Sequence, residues 1–191
     1  MKIKIIEETP AVLTDYEKVS IAFRVETFFR LELVENGLSG VKLTEEAVEK
    51  PFIKDYDECE EDRPTSWATR FDLSNWGFLS AFDGEKRVGA AAVAWKTPEV
   101  SMLEGRDDLA CLWDLRVAPE YRGKGVGNQL FEYSLNWAEQ RKCRLFKVET
   151  QNINVPACRF YVRQGCRLGA FNIYAYPESL NEIQLIWYRN L

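Results

Sequence analysis

The chain has 191 residues, 46% of them apolar and 29% charged, with a net charge of −5. This is the composition of a globular domain with a real core; the negative balance argues against a nucleic-acid ligand, and no apolar run reaches the ~18 residues of a membrane-spanning helix. Histidine is absent, which removes the commonest general base and the commonest zinc ligand, so acid–base work falls to carboxylates, tyrosine, lysine, thiols or water and no metal site is expected.

In chain order, Lys2 to Glu8 alternates as a short strand. From Ala22 to Val34, Phe23, Val25, Thr27, Phe29, Leu31 and Leu33 share one parity, which predicts a strand, although Ile21, Val25 and Phe28 would also share a helical face. Asn36-Gly37 supplies a turn. Thr44 is placed to cap a short helix that ends near Pro51, and an acidic loop follows to about Asn75. Trp76–Phe82 and Val88–Trp95 are apolar runs joined through Asp83-Gly84, a hairpin. Pro98 to Asp108 is a polar connector and Leu109 to Val117 a strand. Gly125 to Lys142 is an amphipathic helix with Leu130, Ser134, Trp137 and Ala138 on one face, flanked by Phe131 and Leu135. Leu145 to Thr150 is a strand. Asn154 is an N-cap, Pro156 lies in the first turn and Gly165 closes the helix. Leu168–Tyr176 and Glu182–Tyr188 end the chain as strands. The strand–helix–strand unit requires a parallel crossover, so the expected architecture is α/β with a mixed sheet. No repeat or linker divides it, and residues 1–191 are expected to form one domain.

Charge is unevenly placed. Between Thr44 and Pro64, nine acids including Asp55, Asp57 and Glu58 face only Lys50, Lys54 and Arg63. Such a run is either a solvated loop or a collar that attracts a cation. The five cysteines (Cys59, Cys111, Cys143, Cys158, Cys166) are scattered without a CxxC pair, and the opening MKIKIIEETP has no apolar signal core. Reduced thiols in the cytoplasm are the expectation.

The segment Arg122-Gly123-Lys124-Gly125-Val126-Gly127, just before a predicted helix, is the sharpest motif. Glycines let backbone N–H groups approach a ligand, and a helix N-terminus leaves those groups unpaired at the positive end of its dipole, so the pattern suits phosphate. The alternative is a plain charged turn. A Walker loop would need Ser or Thr after Lys124, and a dinucleotide fingerprint would need GxGxxG where this chain reads GxGxG.

Arg122, Gly125 and Gly127 resemble the R/Q-x-x-G-x-G/A signature of the GNAT N-acetyltransferases, and Asn154, Ala157, Phe160 and Tyr161 resemble that family's N-x-x-A-x-x-F-Y pattern. The likeness covers roughly Trp76 to Gly169. The tail VETQNINVPACRFYVRQGCRLGAFNIYAY followed by NEIQLIWYRNL, and more loosely KPFIKDYDECEED, are similar to streptothricin acetyltransferases. The resemblance implies the GNAT acyl-CoA N-acyltransferase fold: a mostly antiparallel central sheet with a parallel splayed strand pair, flanked by helices. It implies acetyl-CoA as donor, with CoA as product, and a small amine as acceptor; neither nucleic acid nor membrane is a partner, and a homodimer is left open.

By that resemblance, backbone N–H groups of Arg122, Gly123, Lys124, Gly125, Val126, Gly127 and Asn128 seat the diphosphate. Main chain of Leu115, Arg116 and Val117 grips the pantetheine arm, whose amides pair like a strand. Asn154, Ala157 and Phe160 line the cofactor, and Tyr161 is the acid that protonates the departing thiolate; a core aromatic is the plainer reading of Tyr161. The base is open. Many relatives carry an acid where this chain has Trp113. Asp114 faces the other side unless a bulge intervenes, which is usual in the superfamily; Glu149 and water are rivals. Cys166 departs from the usual Phe and reads as a core substitution. Asp55, Tyr56, Asp57, Glu58 and Trp113 are expected on the acceptor side, with Phe52 and Trp67 as further aromatics for cation–π contact. A streptothricin-type antibiotic is the acceptor that fits best, with antibiotic resistance as the consequence. Another amine (polyamine, amino acid or protein N-terminus) and a non-catalytic acyl-CoA sensor are the rivals.

Overall fold

The computed structural model describes residues 2–191. In chain order the elements are β1 (Ile3–Glu8), α1 (Leu13–Tyr16), β2 (Phe23–Leu33), β3 (Val41–Lys54), α2 (Trp67–Arg70), β4 (Gly77–Asp83), β5 (Lys86–Ala94), β6 (Leu109–Val117), α3 (Val126–Gln140), β7 (Leu145–Gln151), α4 (Val155–Arg163), β8 (Arg167–Asn172) and β9 (Gln184–Asn190), with short 3-10 turns between them. The chain divides into two compact units. The first holds the N-terminal residues through Ala22, Asp55–Val148 and Tyr188–Leu191; the second holds Phe23–Lys54 and Glu149–Trp187.

In the first unit the strand order is β1-β4-β5-β6-β7. β1 to β6 pair antiparallel; β6 and β7 pair parallel, from Leu109↔Leu145 to Leu112↔Val148. Antiparallel neighbours need only a tight turn, and Gly84, at φ 62°, makes it between β4 and β5. The parallel pair needs a long crossover, which α3 supplies. Ala90, Ala92 and Ala94 of β5 are completely buried with Trp67, Trp76 and Phe78 in one core. Their small side chains leave room for the aromatic chain Tyr16–Trp67–Trp76–Phe78, with ring centroids 5.7–6.1 Å apart. Burial of each such ring contributes about 1.5–3 kcal/mol. α3 buries Leu130, Phe131, Ser134, Trp137 and Ala138, the face its periodicity predicted. The buried Ser134 hydroxyl donates to the Leu130 carbonyl at 2.8 Å, so it leaves no unpaired polar group.

In the second unit β2 and β3 form an antiparallel hairpin, and the order β7-β9-β8 completes the strands. Asn152, buried, holds two of these pieces together. Its side chain donates to Phe29 O at 3.0 Å and accepts from Ile183 N at 2.8 Å, while its own backbone pairs with the same two residues. Four hydrogen bonds to two residues, two from its side chain and two from its backbone, thus hold this buried residue.

The helix expected between Thr44 and Pro51 is a strand. Those residues belong to β3, where Thr44 faces Arg30 and Ala47 faces Thr27. TEEAVEK favours a helix locally, but pairing with β2 overrides that preference. The register shifts between Val25↔Phe52 and Thr27↔Ala47, so Pro51 falls where the ladder is broken and its missing N–H forfeits no bond. The acidic loop to Asn75 contains α2 and three 3-10 turns, and it buries Pro64, Trp67 and Leu73. β8 ends at Asn172, four residues before the expected Tyr176, because the Asn172 side chain accepts from Tyr174 N at 2.9 Å and turns the chain. The remaining strands and the two long helices agree with the sequence expectation within a few residues, and the architecture is the expected α/β mixed sheet.

Candidate active site

The glycine loop opens α3. Gly123 and Gly125 sit at φ 74° and 84°, the left-handed region in which a side chain is strained. A Cβ on either would meet nothing within 4 Å, so the space beside this backbone is open. Gly125 is the N-cap and has no side-chain cap. Within the loop, Arg122 N and Lys124 N are already engaged by the carbonyls of Pro119 and Tyr121 at 3.2 and 3.4 Å. Among the described residues, the N–H groups of Gly123, Gly125, Val126 and Gly127 have no acceptor. That is an anion cradle at the positive end of a fifteen-residue helix, and it fits a diphosphate. The Arg122 guanidinium donates to the carbonyls of Val117, Ser20 and Ala22 at 2.9, 3.1 and 2.8 Å.

β6 leads into the loop. Its antiparallel register with β5 continues to Gly89↔Val117, whereas its parallel register with β7 ends at Leu112. Leu115, Arg116 and Val117 therefore pair on one side and have no ladder partner on the other among the described residues. The bulge that the resemblance implied is present: Ala92 faces Asp114 and Val93 faces Leu112, leaving Trp113 as the extra residue. Trp113 packs edge-on against Phe71 at 5.1 Å and Trp76 at 5.6 Å, as part of the aromatic core.

The carboxylate of Asp114 takes three donors. Arg116 donates to its Oδ1 and Oδ2 at 2.9 and 2.7 Å, and Tyr16 donates to Oδ1 at 2.6 Å. Arg116 is 1% exposed. Its other donors go to Asp57 Oδ2 and Oδ1 at 2.8 and 3.3 Å and to Val19 O at 3.1 Å, so all five guanidinium hydrogens are matched. Burial by itself would lower Arg116, but Asp114, Tyr16 and Asp57 outweigh it and hold the guanidinium charged. Burial, then the Asp114 charge, pushes up the Tyr16 phenol. Burial also raises Asp57, against the pull of Arg116. Removing one partner of such a buried group costs about 3–5 kcal/mol, because a charge is left unpaired. No local pattern announced this cluster: Tyr16 and Asp114 are 98 positions apart.

In the second unit, Glu149 of β7 accepts from the Tyr176 hydroxyl on Oε1 and from Gln184 Nε2 at 2.7 Å on Oε2. Gln151 in turn donates to the Tyr176 oxygen at 2.9 Å. Each Glu149 oxygen thus keeps capacity for a further donor. Asn154 caps α4, its Oδ1 accepting from Ala157 N at 3.1 Å. Tyr161 is 6% exposed on α4, its ring edge-on to Phe160 at 5.1 Å.

The acidic stretch is pinned rather than loosely solvated. Asp55 Oδ1 accepts from Asp57 N at 3.0 Å, Arg63 donates to Asp57 O at 2.7 Å, and Arg70 and Ser66 both donate to Glu61 O at 2.6 Å. The Trp67 indole donates to Asp62 O at 3.0 Å; with 2% exposure Trp67 belongs to the core and not to an acceptor surface. Tyr56 is half-buried, whereas Phe52, Glu58, Glu60 and Glu61 are exposed. Of the thiols, Cys59 is exposed and the other four are buried. Burial pushes Cys158 up to about 11, which leaves it an inert thiol near neutral pH.

A family profile described as "Acetyltransferase (GNAT) family" matches residues 42–166. A streptothricin acetyltransferase of Escherichia coli is 30% identical over 194 residues, covering 98% of this chain and 95% of that protein. Streptothricin acetyltransferase A of Bacillus subtilis (strain 168) is 28% identical over 187 residues, 96% and 98% of the two chains. Among solved structures, nourseothricin acetyltransferase superposes with a TM-score of 0.77 at 22% identity, covering 100% and 99%. A Bacillus anthracis str. Ames protein provisionally described as a streptothricin acetyltransferase, solved with acetyl coenzyme A, superposes with a TM-score of 0.76 at 24% identity over both whole chains. With a family profile over most of its length and relatives along nearly all of it, this chain belongs to the GNAT acetyltransferase family.

Proposed function

We propose that this chain transfers an acetyl group from acetyl coenzyme A to a primary amine of a streptothricin-type cationic acceptor. The observation that carries the acceptor is the likeness, along nearly the whole chain, to two proteins named streptothricin acetyltransferase. The open anion cradle at Gly123–Gly127 supports the donor. Acetyl coenzyme A supplies the acetyl group as an activated thioester. The N–H groups of Gly123, Gly125, Val126 and Gly127 hold its diphosphate, and the edge of Leu115–Val117 that has no ladder partner among the described residues holds its amide-bearing arm. Asn154 adds a polar contact beside its capping bond, with Ala157 and Phe160 one and two turns further along α4.

An ammonium group cannot attack, so it must first lose a proton. Glu149 takes that role, since its carboxylate is oriented by Tyr176 and Gln184 and retains accepting capacity. Asp114 is committed to Arg116 and Tyr16, and its part is to hold β6 in shape. Tyr161 donates the proton that the departing thiolate takes up; phenol and thiol pKa values near 10 and 8.5 make that transfer feasible. Transfer is direct, without an acyl-enzyme on a buried thiol such as Cys158. The exposed Glu58, Glu60 and Glu61 draw in a polycation.

One observation favours a different amine: Asp57, the centre of the acidic collar, is bound to Arg116. Thiol release from acetyl coenzyme A, measured with streptothricin, spermidine and short peptides, separates these readings. Release with streptothricin supports the first, release only with another amine replaces it, and tight coenzyme binding without release from any acceptor points to a sensor. In the same assay Tyr161→Phe is expected to lower turnover about 10²-fold with coenzyme affinity kept; unchanged turnover removes Tyr161 as the acid.

A further inference from the structure

We infer that Asp57 and Arg116 form a positioning device for the acceptor side: Asp57 does not touch the acceptor but fixes the acidic segment 55–62 to the strand that grips the coenzyme. This rests on the acetyltransfer reading above.

Both Asp57 oxygens face Arg116 Nη1 and Nη2, and the same guanidinium chelates Asp114 on its own strand. One buried cation therefore joins β6 to the acidic segment. The Asp57 backbone is held as well, its N–H by Asp55 and its carbonyl by Arg63. The segment before β2 is fastened to the same region: Val19 O accepts from Arg116, and Ser20 O and Ala22 O accept from Arg122 of the glycine loop. The chain leaves the first unit after Ala22 and returns at Asp55. Within this unit, Val19, Ser20, Ala22 and Asp57 are thus all held by the arginines of the coenzyme strand and loop. A carboxylate already paired with the charge of a buried guanidinium attracts an incoming ammonium less than the exposed Glu58 and Glu60 do. Neutralising Asp57 should loosen the segment; neutralising Glu58 should only remove charge.

The test compares wild type, Asp57→Asn, Asp57→Glu and Glu58→Gln as full-length proteins. Hydrogen exchange of residues 55–63 is followed together with streptothricin kinetics at several salt concentrations and calorimetry with coenzyme A. Asp57→Asn is expected to speed exchange in 55–63 and raise the streptothricin KM about tenfold, with the steep salt dependence of KM retained and coenzyme affinity within about twofold. Asp57→Glu, which keeps the charge, is expected to recover part of both and serves if the Asn variant does not fold. Glu58→Gln is expected to leave exchange unchanged and flatten the salt dependence. Unchanged exchange in both Asp57 variants overturns the inference, as does a flattened salt dependence in Asp57→Asn, which would mean direct contact with the acceptor. If wild type releases no thiol with streptothricin, the acceptor reading fails, while the exchange and calorimetry still decide whether Asp57 and Arg116 order the segment.

Discussion

The Tyr16 hydroxyl donates to Asp114 Oδ1 at 2.6 Å, joining the first short helix to the centre of β6. Tyr16 is completely buried, and the Arg116 guanidinium lies 5.1 Å from its ring centre. Tyr16→Phe keeps the ring and deletes the donor. Asp114 Oδ1 then loses one of its two donors, and stability should fall by about 1–3 kcal/mol. Urea unfolding measures this as a lower midpoint at constant m; an unchanged midpoint would mean that a water replaces the hydroxyl.

Gly77 opens β4 where the Trp137 indole crosses it. A Cβ at this position would lie 2.4 Å from Trp137 Cε2. The indole cannot easily withdraw, because its Nε1 donates to Glu7 at 2.8 Å and the Arg141 guanidinium sits 3.6 Å from its ring centre. Gly77→Ala should therefore cost about 1–3 kcal/mol. At roughly 2–4 °C per kcal/mol for a chain of this size, the Tm falls by several degrees in a thermal melt.

Gly125 poses the opposite case. Its Cβ would meet nothing, so the whole penalty of Gly125→Ala is the left-handed backbone, about 1–2 kcal/mol. The loop can escape that strain by reshaping, which moves the very N–H groups that form the cradle. Coenzyme A affinity, read by calorimetry, should drop several-fold while α3 stays helical by circular dichroism. Full affinity would place the diphosphate seat elsewhere.

Asp108 lies between two arginines. Arg106 donates to it at 2.9 Å and Arg144 at 2.8 Å, and these bonds hold its carboxyl well below the usual carboxylate range. A depressed folded pKa contributes stability that is present above the unfolded value, near 3.9, and is lost as pH falls below it. Asp108→Asn should accordingly destabilise the protein at pH 6. The gap to wild type should close as pH drops from about 4 toward 2, when urea midpoints are followed against pH. A pH-independent gap would show that shape, not charge, matters at this position.

The sequence by itself determined what depends on neighbours a few residues apart. Period two marked β2, a 3.6-residue stripe marked the buried face of α3, and Asn154 with Pro156 marked the start of α4. The glycine loop was legible for the same reason, since its N–H groups, its glycines and its helix lie within a few consecutive residues. Only the tertiary structure decided the rest. TEEAVEK became strand because β2 lay ready to pair with it, and Trp67 went inside because Tyr16 and Trp76 were there to receive it. Arg122 turned from the anion loop to the carbonyls of Ser20 and Ala22, and Arg116, besides Asp114 on its own strand, gathered Asp57 and Val19 from two distant stretches. A buried guanidinium takes whichever acceptors folding brings within about 3 Å, and that choice leaves no trace in the spacing of residues along the chain.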